Sequence, residues 1–268
     1  MKVAAIQMNS SAQLENNLAE ARRLISEAAA QGAELVVLPE NFACMEMKEV
    51  DKLLIKEQYG SGPVQDFLSA LARELAIWIV GGTIPLASED DSRVYASSLL
   101  FDSQGQCVAR YDKIHLFDVR IPSTSEYYRE SDTILPGNEV VVSKTPLGAI
   151  GFSVCYDIRF PELYRSMLTH GVEIIVIPSA FTQRTGRAHW ELLVRTRAVE
   201  NSCYVIAANQ SGVHQNARHT YGHSMIVDPW GETLAVLPRG TGCLYADLNP
   251  DHQAKIRENF PAVLHRKI

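Results

Sequence analysis

Apolar runs of four to six residues recur along the chain, and between them apolar positions fall at helical spacing. Residues 3–8 (Val-Ala-Ala-Ile-Gln-Met) read as a buried strand. Leu14, Leu18, Ala21, Ile25 and Ala28 then predict a helix, which Gly32 stops. Ser10 and Gln13 lie at capping-box spacing before it. A strand is expected at 34–38. A second helix should open at Pro63, with Val64, Phe67, Leu68, Leu71, Ala72 and Leu75 as its apolar face. A short strand follows at 77–80, then a hairpin of 95–101 and 107–111 across Asp102-Ser-Gln-Gly. Strands resume at 149–154, 174–177, 203–208 and 224–227, and a type I turn at Asp228-Pro-Trp-Gly leads into 233–237. A helix at about 186–201 carries Ala188, Leu192 and Val199 on one face. Residues 113–146 show little periodicity, and a long irregular segment of this kind usually has a functional reason.

Residues 32–42 (Gly-Ala-Glu-Leu-Val-Val-Leu-Pro-Glu-Asn-Phe) parallel residues 171–181 (Gly-Val-Glu-Ile-Ile-Val-Ile-Pro-Ser-Ala-Phe). Each stretch is preceded by a helix and, further back, a strand. The pattern implies two similar β-α-β halves, with Ser179 the counterpart of Glu40 and both strand ends facing a shared cleft. Chance is the alternative, because buried strands all favour Val, Ile and Leu. No linker rich in Pro, Gly or Ser divides the chain. The expected architecture is α/β, one domain over residues 1–268, with two mixed sheets face to face and helices outside.

Composition narrows the function classes. A net charge of −6 and the lack of a long basic run argue against nucleic acid or an anionic membrane as partner. No apolar stretch is long enough to span a bilayer, and the first residues lack a signal-peptide layout, so a cytoplasmic location is expected. The five cysteines are widely spaced without a Cys-Xaa-Xaa-Cys pair, which suggests neither a disulfide framework nor a zinc site. His214, His219 and His223 have irregular spacing and no partners at metal-site intervals.

Four residues carry the candidate chemistry. Glu40 ends the apolar run Leu-Val-Val-Leu-Pro-Glu. Lys113 opens Lys-Ile-His-Leu-Phe-Asp. Glu130 stands in Arg-Glu-Ser-Asp. Cys155 ends Ile-Gly-Phe-Ser-Val-Cys, just before Tyr-Asp-Ile-Arg-Phe-Pro-Glu-Leu. A lone cysteine there is most often a buried small hydrophobe. A thiol, a carboxylate and an ammonium at the ends of buried strands are instead the parts of an acyl-transfer site. The thiol would sit at a sharp strand-to-helix turn, with the Tyr156 amide aimed at an oxyanion. Cys and Glu differ by roughly 4 pKa units, so direct proton transfer would cost about 6 kcal/mol. Burial of Glu40 and the nearby Lys113 ammonium are expected to narrow that gap. Lys113 would then stabilise the oxyanion, and Glu130 would orient Lys113 or substrate. His189 and Trp190 are expected to line or support a pocket.

Together these motifs resemble the nitrilase superfamily of carbon–nitrogen hydrolases, from Lys2 to about His265. The resemblance implies a four-layer αββα sandwich that forms a homodimer through its helical layer, and a Glu40–Lys113–Cys155 triad. It places the family's additional glutamate on Glu130 and implies no metal or organic cofactor. Residues 178–191 (Pro-Ser-Ala-Phe-Thr-Gln-Arg-Thr-Gly-Arg-Ala-His-Trp-Glu) and 221–231 (Tyr-Gly-His-Ser-Met-Ile-Val-Asp-Pro-Trp-Gly) look like the Nit branch. Phe181-Thr182 favours its deaminated glutathione amidases, which release 2-oxoglutarate and cysteinylglycine. Asp112 departs from the basic or small residue common before the lysine. Alternatives are an ω-amidase, which cuts 2-oxoglutaramate, another amidase or carbamoylase of the superfamily, and a catalytically silent binding protein on the same fold. A dipeptide leaving group brings a second anion, for which Arg184 and Arg187 are candidates. Arg159 is a candidate for the oxo-acid carboxylate, and Tyr156, Phe181 and Thr182 complete the expected small-molecule amide site.

Overall fold

The computed structural model describes residues 1–121 and 126–267. The first half contains β1 (Lys2–Gln7), α1 (Leu14–Ala30), β2 (Leu35–Val37), α2 (Pro63–Leu75), β3 (Trp78–Val80), β4 (Ile84–Ala87), β5 (Val94–Phe101) and β6 (Cys107–Asp112). A small antiparallel ribbon, β7 (Asp118–Arg120) with β8 (Tyr127–Arg129), and the short β9 (Ile134–Leu135) follow. The second half runs through β10 (Val142–Thr145), β11 (Gly148–Phe152), α3 (Pro161–Leu168) and β12 (Ile174–Val176). A helical stretch comes next: α4 (Gln183–Thr185), a π-helical turn (Gly186–Trp190) and α5 (Glu191–Asn201). The chain ends with β13 (Tyr204–Ala207), β14 (Ser211–Val213), β15 (His219–Tyr221), β16 (Ser224–Val227), β17 (Thr233–Leu237), β18 (Gly242–Asp247) and α6 (Pro250–Asn259).

Among the described residues, one large sheet has the order β18-β1-β2-β3-β5-β4, with β6 and β9 also paired to β5. The other has the order β10-β11-β12-β13-β16-β17. In β1, Val3 and Ala5 join the core between the sheets, while Ala4 and Ile6 pack with Leu24, Ile25 and Leu68 of α1 and α2. This is the two-residue period of a strand covered on both faces. Beyond the second sheet, Leu163, Tyr164 and Met167 of α3 and Val194 and Ala198 of α5 continue the same core. The layers are therefore helix, sheet, sheet, helix, as expected.

The internal repeat is present in the hydrogen bonding. β1 and β2 are parallel, as are β11 and β12. Gly32 and Gly171 both adopt positive φ after their helices. The amides of Glu34 and Glu173 bond to Lys2 O and Ala149 O, and their carboxylates accept from the amides of the same two residues. Both repeats end at the cleft: the Ala180 amide, one residue past Ser179, donates to Glu40 Oε2 at 2.8 Å.

Three expectations need correction. Ser10 does not cap α1. Its hydroxyl donates to Phe42 O, and Gln13 is the N-cap residue, with no side-chain bond capping the helix backbone. Ala188, Leu192 and Val199 do share a face, but it points outward, with Leu192 68% and Val199 50% exposed. The inner face carries Trp190, Val194, Arg197, Ala198 and Asn201 instead, because Arg197 hydrogen-bonds Ile158 O and claims an inward position for a charge. Residues 113–146 are not wholly irregular. They hold β7 to β10, short strands whose periodicity is too brief to read, and 122–125 lie outside the described residues. The reading also passed over β4, β18 and α6, although Asn249-Pro250 is a good helix start and Asn249 Oδ1 does cap α6.

Glycine 82 links this frame to the cleft. At φ +53°, a Cβ there would lie 2.1 Å from Pro39 O, beside Glu40. At Gly32, φ +84°, a Cβ would meet nothing within 4 Å. We expect G32A to cost about 1 kcal/mol in urea unfolding, from left-handed strain alone. G82A should cost about 3 kcal/mol, because the Pro39 backbone must also move.

Candidate active site

Strand ends bring the four candidates together. β2 runs on through Pro39 to Glu40, and the next amide, of Asn41, is held by Thr83 Oγ1 at 2.9 Å. Past β6, the Lys113 amide bonds Ala96 O and its carbonyl accepts from Gly137. Glu130 opens a short 3₁₀ turn after β8. Cys155 sits just past β11 with φ +47°, a left-handed conformation that costs a non-glycine residue about 1 kcal/mol or more. Its own amide is fixed on Pro178 O at 2.9 Å.

Asp157 holds this turn and escaped the sequence reading. Its buried carboxylate accepts from the Val154 amide at 2.8 Å, Tyr111 Oη at 2.6 Å and the His115 amide at 2.9 Å. The His115 Nδ1 lies 2.7 Å away as well. Tyr111 and His115 flank Lys113, so one carboxylate ties the lysine's strand to the cysteine's turn. The signal was present: Asp157 stands three residues after Val154, the spacing of a helix-start cap.

Lys113 Nζ lies 2.8 Å from Glu40 Oε1 and 2.8 Å from Glu130 Oε1, and the lysine is buried. The second oxygen of each acid is also used, by Ala180 for Glu40 and by the Phe117 amide at 2.7 Å for Glu130. All four residues line one cavity, with Phe117, Tyr156, Phe181, Thr182 and Arg218.

Charge in this cavity runs against one expectation. Burial alone would raise Glu40, but Lys113 more than offsets it and leaves the carboxyl below its ordinary value. Burial likewise opposes Lys113, yet Glu130 and Glu40 hold it well above the ordinary lysine value. Burial and the Glu40 charge push the Cys155 thiol well up, outweighing Lys113. The resting gap between thiol and carboxylate is therefore wider than in water, not narrower. Burial is the largest cause of the thiol's rise, the Glu40 charge adds to it, and Lys113 offsets only part. These directions favour a neutral thiol beside an ionised Glu40.

The other expected residues divide. Tyr156, Phe181 and Thr182 line the cavity. Arg159 is not among its lining residues. Its guanidinium lies over the Tyr156 and Phe181 rings at 5.8 and 5.3 Å and bonds His189 Nδ1 at 3.2 Å. Trp190 is buried behind Phe181, with its Nε1 on His223 O at 2.7 Å. Arg184 and Arg187 are exposed and line an outer groove with Tyr128, His219 and Arg239. Asp112 accepts from Ser97 and Arg110 and does not touch Lys113 Nζ. Asn209 and Gln210, also missed, brace the cleft from behind: Asn209 Oδ1 holds the Phe181 amide and Gln210 Nε2 holds Glu40 O. Among the described residues, no group of three or more His, Cys, Asp or Glu is placed to hold a metal.

The sequence profile of carbon–nitrogen hydrolases matches residues 2–258. The chain belongs to the carbon–nitrogen hydrolase family. It is thus a hydrolase of C–N bonds, and its αββα sandwich is the nitrilase fold. The chain is 42% identical to the deaminated glutathione amidase of Synechocystis over 98% of this chain and 97% of that protein. It superposes on the NitFhit protein of C. elegans with a TM-score of 0.92 and 36% identity, covering 99% of this chain and 65% of that one. Saccharomyces cerevisiae Nit3, a member of branch 10 of the nitrilase superfamily, gives 0.89 and 33%, covering 100% of this chain and 97% of its own.

The charge balance makes a prediction with a definite sign. Removing the Glu40 charge leaves Lys113 as the nearer influence on Cys155, so the thiol value falls. Glu40→Gln should therefore alkylate faster at Cys155 with iodoacetamide at pH 8 than the unaltered protein, by several-fold, while amide turnover drops about 10²- to 10⁴-fold. Slower labelling of the variant would contradict the assignment of Glu40 as the charge that holds the thiol neutral.

Proposed function

We propose that this enzyme hydrolyses a small 2-oxo-acid amide through a thioester on Cys155. The observation that carries the reading is the buried Lys113 ammonium, clamped at 2.8 Å by both Glu40 and Glu130 in the cavity that holds Cys155. As Cys155 Sγ attacks the amide carbon, its proton passes to Glu40, and negative charge moves from sulfur to the carbonyl oxygen. Lys113 and the Tyr156 amide stabilise that oxyanion. Glu40 then gives the proton to the leaving nitrogen, and the C–N bond breaks. Water attacks the thioester with Glu40 as base, the acid departs, and Cys155 regains its proton. Glu130 keeps Lys113 charged and in place throughout. No step requires a cofactor.

The substrate is deaminated glutathione, giving 2-oxoglutarate and cysteinylglycine. Support comes from the name and 42% identity of the Synechocystis relative across nearly its whole length. Tyr156, Phe181 and Thr182 line the cavity and shape its acyl side, and Arg159, stacked over the Tyr156 and Phe181 rings outside the lining, is the candidate for the oxo-acid carboxylate. Arg184 and Arg187 lie further out, along the groove. The protein acts as one unit over residues 1–268, in the cytoplasm.

A homodimer is part of the same proposal. Leu192 and Val199 on α5 are exposed, as are Trp230 and Phe260, whose rings meet edge to face at 5.6 Å. Burying such a patch between two copies removes apolar surface from water. Leu192→Glu combined with Trp230→Glu should convert a dimer to monomers in sedimentation velocity. Dimers that survive both charges would place the contact elsewhere.

The functional test compares kcat/KM for deaminated glutathione and 2-oxoglutaramate, with C155A as the blank. The proposal expects preference for the dipeptide amide, and C155A to lose at least about 10³-fold in turnover while still binding substrate. Preference for the primary amide would make the enzyme an ω-amidase, and an active C155A enzyme would end the thioester mechanism.

A further inference from the structure

Arg218 was not singled out by the sequence, yet it stands where the inner cavity meets the outer groove and lines both. It is carried on the turn between β14 and β15. Two contacts fix its guanidinium: one terminal nitrogen donates to Ala180 O at 2.9 Å, and its face lies 5.4 Å over the Tyr128 ring. Its Nε is enclosed and has no protein acceptor. An enclosed donor without a partner costs about 1–3 kcal/mol, so an acceptor brought by a ligand would recover that amount. A guanidinium edge with a free Nε is shaped for a carboxylate, which accepts two parallel bonds.

The side of the cavity on which Arg218 stands selects the carboxylate. Ala180 donates its amide to Glu40 Oε2 and accepts from Arg218 through its carbonyl. The guanidinium and the Glu40 carboxylate are thus fixed to the same residue. In the mechanism above Glu40 protonates the departing nitrogen, and Arg218, at the mouth that opens onto the outer groove, faces the way a leaving group departs. Arg159, over the Tyr156 and Phe181 rings, does not line the cavity, so among the described residues Arg218 is the arginine that does. The other acids near Arg218 do not use up its donors: Lys113 takes Glu40 Oε1 and Glu130 Oε1, while Lys52 takes Glu49.

We infer that Arg218 binds the free carboxylate of the leaving amine at the neck of the cavity, and so selects amides whose leaving group is an anionic peptide. This rests on the substrate reading above and adds to it the residue that distinguishes a dipeptide from ammonia. Arg184, Arg187 and Arg239 line the groove beyond the neck, along the path by which that anion enters and leaves.

The test uses two amides with the same 2-oxoglutaramyl acyl half. One releases cysteinylglycine with a free C-terminal carboxylate, the other its C-terminal carboxamide. The unaltered enzyme should favour the carboxylate by about 10- to 100-fold in kcat/KM, mostly through KM. Arg218→Gln should bring the ratio close to one, and Arg218→Lys should restore part of it. Equal activity of the unaltered enzyme on the two amides overturns the inference without any variant. A ratio unchanged in Arg218→Gln, with both substrates slowed alike, overturns it too, since a purely structural arginine would behave that way. Turnover of 2-oxoglutaramate with none of either dipeptide amide would instead defeat the substrate reading, and the inference with it.

Discussion

Lys113 brings one positive charge into a place where two carboxylates and a thiol are already enclosed. Taking an ammonium out of water costs several kcal/mol, and only close, well-aligned partners recover it. Glu40 and Glu130 do so at 2.8 Å each, and each acid spends its second oxygen on a backbone amide. None of the three can be moved alone. Deleting one partner of a buried pair typically costs about 3–5 kcal/mol, because the other is left charged and dry. The strand ends, the Asp157 hub and the Asn209 and Gln210 braces can be understood as the framework that this cluster requires.

The same cluster sets the chemistry of the thiol. Burial disfavours the thiolate, the Glu40 charge repels it, and Lys113 offsets only part of both, so the Cys155 thiol is held above its ordinary value. A neutral thiol reacts slowly with oxidants and other electrophiles. Reactivity is then conferred by substrate and not stored in the resting enzyme.

Much of the frame was legible in the sequence because its signals are local. Gly32 and Gly171 end helices, Pro63 starts one, and runs such as 35–38 and 174–177 can only be strands buried on both faces. Glu40 and Cys155 were legible because each ends such a run, whereas Lys113 and Glu130 were placed by their motifs and the family resemblance. The outward face of α5 was misjudged because its apolar residues lie largely exposed, while a buried arginine, Arg197, takes an inward place. The thiol's shift was misjudged because it depends on how deeply Cys155 is buried and on the Glu40 charge beside it, both of which appear only in three dimensions. Arg218 left no trace at all. It lies in a polar turn, and its meaning comes from Ala180, 38 residues away in sequence.

The repeat described for the two sheets has a mechanical side. One repeat delivers Glu40 and the other delivers both Cys155 and the Ala180 amide that grips Glu40. Glu40 and Cys155, the proposed base and nucleophile, thus belong to different slabs of the sandwich, and no short stretch of chain fixes their separation. That separation is set by the thickness of the apolar filling between the slabs, by side chains such as Val37, Val80, Phe152 and Val176. The core behaves as a spacer, much as a shim sets the gap between two plates. A methylene gained or lost far from the cleft is thereby transmitted to the atoms that exchange a proton.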